Sequence, residues 1–293
     1  MTGFSFSGLY YLDANFAEQM RRVMEPRLES GQDAIPAYLR QPHPSTVMPA
    51  QEARPQAGTS AYYDYCADYY RRINGGEVCV FAVRGSMSRY GYCSWGTEDL
   101  TALLYAAYRN EKIKAVVMQM DTPGGTVDGT KAFADAVAAR NKPVVAWTNF
   151  CASAGVFVAS QSDEIMLEPQ TVTQIGSIGV LSVYIDQSAY LEKHGYRVQI
   201  LRADGSEDKA RMNGIEPLEA DMLAEHKSVL NACRTEFLGY VRRGRAGRLT
   251  SKEWESGKMF GVKDALRIGL ADRTGSLDQA IQRALQLSKS NKS

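Results

Sequence analysis

A serine set among small residues is the first candidate for chemistry in this chain of 293 residues. Ser153 lies in the segment Cys151-Ala-Ser-Ala-Gly, where an apolar run meets helix-forming residues, so the pattern predicts a strand-to-helix junction. A serine nucleophile needs a tight turn of this kind, and it needs backbone N–H donors aimed at the developing oxyanion. Gly124 and Gly125 follow another apolar run and could supply a donor. The two segments together favour a serine hydrolase.

The base that would activate this serine is harder to assign. Only two of the three histidines, His194 and His226, follow Ser153. His194 is expected at a helix C-terminus, where it stabilises the helix dipole, and His226 lies on the apolar face of a predicted helix, where core packing is the usual role. A lysine can also act as a base when burial lowers its pKa. Lys209 lies in a polar loop, and its position alone indicates a solvated side chain.

Strands and helices alternate along the middle of the chain, which predicts an α/β domain with a largely parallel sheet. Because sites in such sheets form at the carboxyl ends of strands, Gly124, Gly125 and Ser153 are expected to converge. The predicted strands are Glu77–Val83, Ile113–Met120, Pro143–Trp147, Glu164–Leu167 and Tyr196–Leu201. The predicted helices are Thr97–Asn110 with Thr97 as N-cap, Val127–Arg140, Ser153–Ser160, a long helix over 218–241, and short helices over 251–256, 263–269 and 277–287.

The N-terminal quarter of the chain has a different composition. A helix is predicted around Asp13–Glu29, and residues 41–60, rich in Pro, Gln, Ala and Ser, predict a linker or extended arm. The tyrosine-rich segment Ala61–Arg72 favours a surface helix packed on the domain, with a partner-binding helix as the alternative. We therefore divide the chain into an N-terminal extension and linker over 1–75 and a catalytic domain over 76–293.

Composition limits the classes of partner and compartment. The formal net charge is +1, which gives no reason to expect nucleic acid or an anionic membrane as a partner. The five cysteines have no CxxC spacing and the histidines are scattered, so we expect neither disulfides, metal nor cofactor. The chain has neither a run of 18 apolar residues nor a signal peptide at its start, so we expect a soluble, cytoplasmic protein without a membrane span.

Four segments in order along the chain carry a resemblance to a known family. They are Asp121-Thr-Pro-Gly-Gly, Cys151-Ala-Ser-Ala-Gly-Val-Phe-Val-Ala, Ile175-Gly-Ser-Ile-Gly-Val and the stretch from Ser256 to Asp272. Over roughly 77–284 the chain resembles the signal peptide peptidase A family of serine peptidases, family S49. The resemblance implies an α/β fold of the ClpP/crotonase-like type, a spiral of β-β-α units, here with an N-terminal helical extension. It also implies a homo-oligomer, a ring or dome.

The same resemblance implies a mechanism in which no histidine is needed. Ser153 is the expected nucleophile, and Lys209, 56 residues later, is the expected base. Backbone N–H groups of Gly125 and Ala154 form the implied oxyanion hole, with Gly124 as a supporting residue. Ser177 matches a family position near the lysine, where it either orients Lys209 or only shapes the turn. The implied product of the first step is an acyl-enzyme, which water hydrolyses.

The N-terminal segment is similar to that of phage and prophage members of the family, which act as head maturation proteases. This branch implies a polypeptide substrate, portal, scaffold or capsid proteins as partners, and a location in the host cytoplasm or prohead. A soluble cytoplasmic member that degrades peptides would fit the same motifs. A crotonase-fold acyl-CoA enzyme would share the backbone oxyanion donors but needs no serine nucleophile, so the presence of both Ser153 and Lys209 argues against it. A further alternative is a non-catalytic capsid-assembly subunit that keeps the fold.

Overall fold

The computed structural model describes residues 10–12, 26–27, 29–31, 55–74, 76–91 and 94–290. In chain order the strands are β1 (Tyr10–Leu12), β2 (Val78–Arg84), β3 (Ala115–Thr122), β4 (Gly124–Thr126), β5 (Val144–Ala152), β6 (Glu164–Leu167), β7 (Gln174–Gly176), β8 (Met259–Gly261) and β9 (Arg273–Thr274). The α-helices are α1 (Ser60–Ile73), α2 (Thr97–Arg109), α3 (Thr130–Ala138), α4 (Ala154–Ala159), α5 (Ser188–Lys193), α6 (Ala220–Gly244), α7 (Val262–Arg267) and α8 (Leu277–Ser290). A 3₁₀ helix spans Glu253–Ser256. The helix predicted over Asp13–Glu29 and the linker over 41–60 lie mostly outside the described residues.

Seven of the described strands form one mainly parallel sheet. Its main path runs β2-β3-β5-β6-β9, and every neighbouring pair along this path is parallel. The end of β5 leaves β6 and pairs with β7, and β8 joins β7 in the antiparallel direction. The α/β class with a parallel sheet is therefore confirmed. β1 and β4 form a separate antiparallel pair beside this sheet.

Both faces of the sheet are covered, which explains why its strands are almost continuous apolar runs. The larger core cluster lies on one face, between the sheet, α1 to α4 and the C-terminal part of α6. On the other face, Ala280 and Ala284 of α8 pack against a smaller cluster that includes Val117 and Val145. The indole N–H of Trp147 in this second cluster donates to the Gly275 carbonyl at 2.8 Å.

The tyrosine-rich segment forms α1 and packs on the domain, which is the favoured of the two alternatives that its sequence offered. Tyr63 and Tyr70 are buried, and the Tyr63 hydroxyl donates to the Asp99 carboxylate at 2.5 Å. The ring centroids of Tyr70 and Trp95 lie 6.2 Å apart in an edge-on arrangement. Burial raises the pKa of both Tyr63 and Tyr70. The division of the chain at residue 75 stays a prediction.

Several predicted elements differ from the structure. The strand predicted over Tyr196–Leu201 is wrong, because these residues form no strand and Leu201 is 89% exposed. Gly96, not Thr97, is the N-cap of α2. Strand β5 continues past Trp147 to Ala152, since its second half, which begins with the polar Thr148 and Asn149, pairs with β3, β6 and β7.

The long helix predicted after Pro217 is confirmed as α6, but it is only partly packed. Its buried residues are Phe237, Leu238, Tyr240 and Val241, all near its C-terminal end. Val229, on the apolar stripe that predicted the helix, and the nearby Leu223 are more than two-fifths exposed. The N-terminal part of α6 therefore presents apolar side chains that the described part of its own chain does not cover.

One buried ion pair ties the C-terminal segment to the end of α6. Arg245 is completely buried, and its guanidinium donates to both carboxylate oxygens of Asp272 at 2.7 and 2.9 Å. It also donates to the Gly269 carbonyl, and Asp272 accepts from the Ile165 N–H of β6. Each of the three guanidinium nitrogens thus donates a hydrogen bond, as the burial of a charge requires.

We expect Arg245→Met to destabilise the protein by about 3 kcal/mol, because the substitution removes the bidentate partner of the Asp272 carboxylate, which is only 15% exposed and keeps the more exposed Arg248 and the Ile165 N–H. Urea unfolding would measure the change in midpoint. Arg267→Met is the matched control, since Arg267 forms a bidentate ion pair of the same kind with Glu253 on the surface. Equal losses in the two variants would show that burial does not govern the contribution of these pairs.

Candidate active site

Ser153 occupies the junction between β5 and α4, and its backbone is strained. Its φ is 52° and its ψ is −116°, a conformation that residues other than glycine rarely adopt. The Ser153 N–H donates to the Gly176 carbonyl of β7 at 2.8 Å, and its carbonyl accepts from the Phe157 N–H at 3.0 Å. The side chain is 2% exposed. The junction is therefore fixed on both sides, which maintains the strained serine.

The register of the sheet brings the glycine turn towards this serine. Thr122, the last residue of β3, pairs with Cys151 of β5 after an irregularity in the register between Met120 and Asp121. Gly124 lies two residues after Thr122, and Ser153 lies two residues after Cys151. Helix α4 contacts β4. A side chain at Gly155 would meet the Thr122 methyl group at 2.6 Å, so glycine there permits the close approach.

The Gly124-Gly125 turn is held by buried hydrogen bonds. The Thr122 hydroxyl donates to the Gly85 carbonyl at 2.7 Å and accepts from the Gly124 N–H at 3.1 Å. On one edge of β4 the Met87 N–H donates to the Gly124 carbonyl, and the Thr126 N–H donates to the Met87 carbonyl. A Cβ on Gly125 would lie 1.7 Å from the Met87 oxygen, so this strand can approach only with glycine there.

Thr122 is a supporting residue that the sequence interpretation missed. Its side chain is completely buried at the end of β3, directly before the Pro-Gly-Gly turn. A buried hydroxyl needs hydrogen-bond partners, and here both partners are main-chain groups, the carbonyl of Gly85 just after β2 and the N–H of Gly124 at the start of β4. The available signal was a threonine ending an otherwise apolar strand just before two glycines.

Ala154 supplies the second predicted N–H donor. It is the first residue of α4 and is completely buried. The N–H groups in the first turn of a helix have no intrahelical acceptor, and the helix dipole favours negative charge at that end. Because α4 follows Ser153 directly, the Ala154 N–H lies next to the serine in the chain. A developing oxyanion beside Ser153 would meet a favourable electrostatic environment.

Ser177 also has a left-handed backbone, with a φ of 55°. Its N–H donates to the Lys258 carbonyl at 3.0 Å, and the preceding Gly176 carbonyl accepts from Ser153. Ser177 thus lies in the turn that fixes the nucleophile candidate. These contacts are those of a residue that shapes the turn, and its orientation of Lys209 stays a prediction.

Lys209 is exposed on a loop outside the core of its own chain. Its N–H donates to the Ser206 carbonyl at 3.0 Å, and its carbonyl accepts from the Arg202 guanidinium at 2.6 Å. Within the described ranges, no hydrogen bond joins Lys209 to Ser153. The structure of one chain therefore brings Ser153 to the glycine turn but does not bring the predicted base to Ser153.

The loop that carries Lys209 is nevertheless well ordered by polar contacts. Arg202 donates to both carboxylate oxygens of Glu216 at 2.9 and 2.6 Å and to the Ala210 carbonyl at 3.1 Å. The Asn213 amide donates to the same carboxylate at 2.8 Å. The hydrogen bonds from Arg202 and Asn213 lower the pKa of Glu216 to about 2. Sequence reasoning gave Arg202 no role, because its pairing with Glu216 leaves no local spacing signal.

The two histidines that follow Ser153 take no part in the described site. His194 is the C-cap of α5, as predicted, with Nδ1 2.8 Å from the Tyr190 carbonyl. His226 is half-buried on α6, and its buried Nε2 has no hydrogen-bond partner among the residues that the structure describes, unlike the satisfied core histidine that the sequence predicted. In the described part of the chain, no three His, Cys, Asp or Glu side chains are grouped to hold a metal ion. No helix among the described residues is long and apolar enough to span a membrane.

Comparison with known proteins assigns the chain to a family. The family model described as peptidase family S49 matches residues 136–291, more than half of the chain. The chain belongs to peptidase family S49. This membership confirms the resemblance found in the motifs.

Several relatives in this family have names that describe their roles. Protease 4 of Haemophilus influenzae is 26% identical over 204 residues, which cover 66% of this chain and 31% of that protein. Capsid assembly protease C of Escherichia phage lambda is 29% identical over 189 residues, which cover 64% of this chain and 42% of that protein. The head-tail preconnector protein GP5 of Enterobacteria phage P21 is 25% identical, with coverage of 73% and 44%. The chain thus spans less than half the length of these three relatives.

Among solved structures, the membrane-bound stomatin-specific protease 1510-N is 15% identical, with a TM-score of 0.45 and coverage of 71% of this chain and 84% of that chain. A member of the enoyl-CoA hydratase/isomerase family is 16% identical, with a TM-score of 0.38 and coverage of 75% and 74%.

The strained backbone at Ser153 leads to a stability prediction. We expect Ser153→Gly to be more stable than Ser153→Ala by roughly 1 kcal/mol, because glycine adopts a positive φ without strain, whereas alanine retains the backbone strain. Thermal and urea unfolding of the two variants would measure the difference. At a position with an unstrained backbone the alanine variant would be the more stable of the two, since glycine loses more backbone entropy on folding. A more stable alanine variant would therefore contradict the strained conformation.

Proposed function

We propose that the chain is a serine endopeptidase in which Ser153 attacks the carbonyl of a peptide bond. The observation that carries the proposal is the strained Ser153 backbone at a strand-to-helix junction beside a glycine turn. Such strain costs on the order of 1–3 kcal/mol and is found mainly at functional sites. Membership of the S49 peptidase family supports the same reaction class.

In the proposed reaction, the neutral amine of Lys209 accepts the proton of the Ser153 hydroxyl as Oγ forms a bond to the peptide carbonyl carbon. The oxyanion accepts hydrogen bonds from the N–H groups of Gly125 and Ala154. The C–N bond then breaks, and the lysine ammonium returns its proton to the departing amine. Water, deprotonated by the same lysine, hydrolyses the acyl-enzyme and regenerates Ser153.

We propose further that Lys209 serves Ser153 of a neighbouring copy in a ring or dome. Lys209 is exposed on its own chain, and eight of the large apolar side chains exposed by the described part of the chain lie between residues 183 and 229, on either side of it in the sequence. Large apolar side chains exposed near the proposed base support an interface there. The eight are Val183, Ile185, Tyr190, Tyr196, Val198, Leu201, Leu223 and Val229.

The biological role that we propose is processing of phage head proteins during prohead maturation. The similarity to capsid assembly protease C and to the head-tail preconnector protein supports this role, with capsid, portal or scaffold proteins as partners in the host cytoplasm or prohead. The similarity to Protease 4 supports a second candidate, a cytoplasmic peptidase that degrades peptides. Cleavage of a co-expressed head protein by the wild-type chain, but not by Ser153→Ala, would favour the first role.

A serine-reactive fluorophosphonate tests the two catalytic residues. We expect it to label the wild-type chain and to leave Ser153→Ala unlabelled. Lys209→Met and Lys209→Arg should lower the labelling rate about 10²–10⁴-fold, because neither side chain can accept the serine proton at neutral pH. Lys263→Met, at another exposed lysine, is the matched control and should react like the wild type. A Lys209→Met chain that reacts at the wild-type rate would exclude Lys209 as the base while leaving Ser153 as nucleophile.

Mixing two inactive variants tests whether the site is shared between copies. Ser153→Ala keeps Lys209, and Lys209→Met keeps Ser153, so a mixed assembly places intact pairs at some of its interfaces. Random co-assembly of equal amounts should restore about a quarter of the wild-type peptidase activity in a closed ring. Co-expression followed by hydrolysis of a fluorogenic peptide measures the recovery. A mixed assembly as inactive as either parent would contradict a shared site.

A further inference from the structure

A short strand from the N-terminal part of the chain pairs with the glycine turn of the site. In β1, Tyr10, Tyr11 and Leu12 lie opposite Thr126, Gly125 and Gly124 in antiparallel register. More than a hundred residues of sequence separate β1 from β4, so no hairpin turn imposes the pairing. The contact is a long-range association between the N-terminal segment and β4.

The hydrogen bonds on the other edge of β4 show which way Gly125 faces. Met87 bonds to the Gly124 carbonyl and the Thr126 N–H, so these two groups point to the Met87 edge. The main-chain groups of successive residues in a strand point to alternate edges. The N–H and carbonyl of Gly125 therefore point to the opposite edge, where Tyr11 lies directly across from them.

This edge is the one that a polypeptide substrate needs. The Met87 edge of β4 is already occupied, so an extended peptide can add main-chain hydrogen bonds only on the edge that β1 takes. Gly125 is the proposed oxyanion donor, and α4, which begins after Ser153, contacts β4. A peptide carbonyl that reaches the Gly125 N–H must therefore take the position opposite Gly125 that Tyr11 now takes.

We infer that β1 is a tethered occupant of the substrate edge, and that a polypeptide must displace it before Ser153 can attack. The inference rests on the proposed function, since it takes Gly125 and Ser153 as parts of the peptidase site. A three-residue strand makes few hydrogen bonds, each with a small net contribution. Its covalent tether supplies the local concentration that keeps it in place against a weak or dilute competitor.

Proline substitutions distinguish this pairing from a general effect of the N-terminal segment. Tyr11→Pro removes the N–H that faces Gly125, whereas Leu12→Pro removes an N–H that points away from β4. Leu12→Pro is thus the matched control. Both full-length variants would be reacted with two serine-reactive reagents. One is a peptide phosphonate, whose peptide part must bind the edge of β4 that β1 occupies, and the other is a small fluorophosphonate, which does not bind that edge.

We expect Tyr11→Pro to react with the peptide phosphonate about fivefold faster than the wild type or more, as the loss of one or two ladder hydrogen bonds implies. Leu12→Pro should react at the wild-type rate, and the small fluorophosphonate should label all three proteins equally. Equal rates with the peptide phosphonate in all three proteins would overturn the inference, even though labelling of Ser153 would still support the proposed peptidase.

Hydrogen exchange tests the same occupancy without catalysis, in the Ser153→Ala background. We expect the segment 124–126 to exchange faster when Tyr11→Pro is added, and a synthetic peptide with the sequence of residues 7–15 to restore its protection. Leu12→Pro should leave the protection unchanged. Unchanged exchange in the Tyr11→Pro chain would overturn the inference whether or not the protein proves to be a peptidase.

Discussion

The parallel pairing of β3 with β5 is the constraint on which the candidate site depends. The register changes between Met120 and Asp121, and it then places Thr122 beside Cys151. Both strands therefore leave the sheet at the same level, one into the glycine turn and the other into Ser153. Because a parallel sheet is buried on both faces, this register is fixed by core packing along the whole length of the two strands. A slip would separate the serine from the glycine turn.

The two halves of the proposed dyad are stabilised by different physical means. Ser153 is held by burial and by main-chain hydrogen bonds to Gly176 of β7 and Phe157 of α4. Lys209 lies outside that core, on a loop that Arg202 and Glu216 organise through charge-assisted hydrogen bonds. A rigid nucleophile and a separately organised base suit a site that is completed by assembly, since the loop keeps its shape without support from its own core.

Local patterns predicted most of the sheet and the position of Ser153, because buried strands appear as apolar runs and tight turns as small residues. The second half of β5 was not predicted as strand, because Thr148 and Asn149 interrupt the apolar run and the pairing partners in β3, β6 and β7 are distant in the sequence. The residues over 196–201 have a strand-like composition but no neighbouring strand within the described chain. The pairing of Arg202 with Glu216 and of β1 with β4 joins residues that are distant in the sequence, and a single sequence carries no signal for such pairings.

The position of α8 has a consequence for how the molecule is made. It covers the second face of β2, β3 and β5, and the Gly275 carbonyl just before it accepts from Trp147. Synthesis proceeds from the N-terminus, so every strand under α8 leaves the ribosome before the helix that shields it. Until then, an apolar sheet surface faces water and is open to chaperones or to aggregation. Completion of the sheet, and of the serine junction that it supports, is therefore delayed until the C-terminal helix emerges.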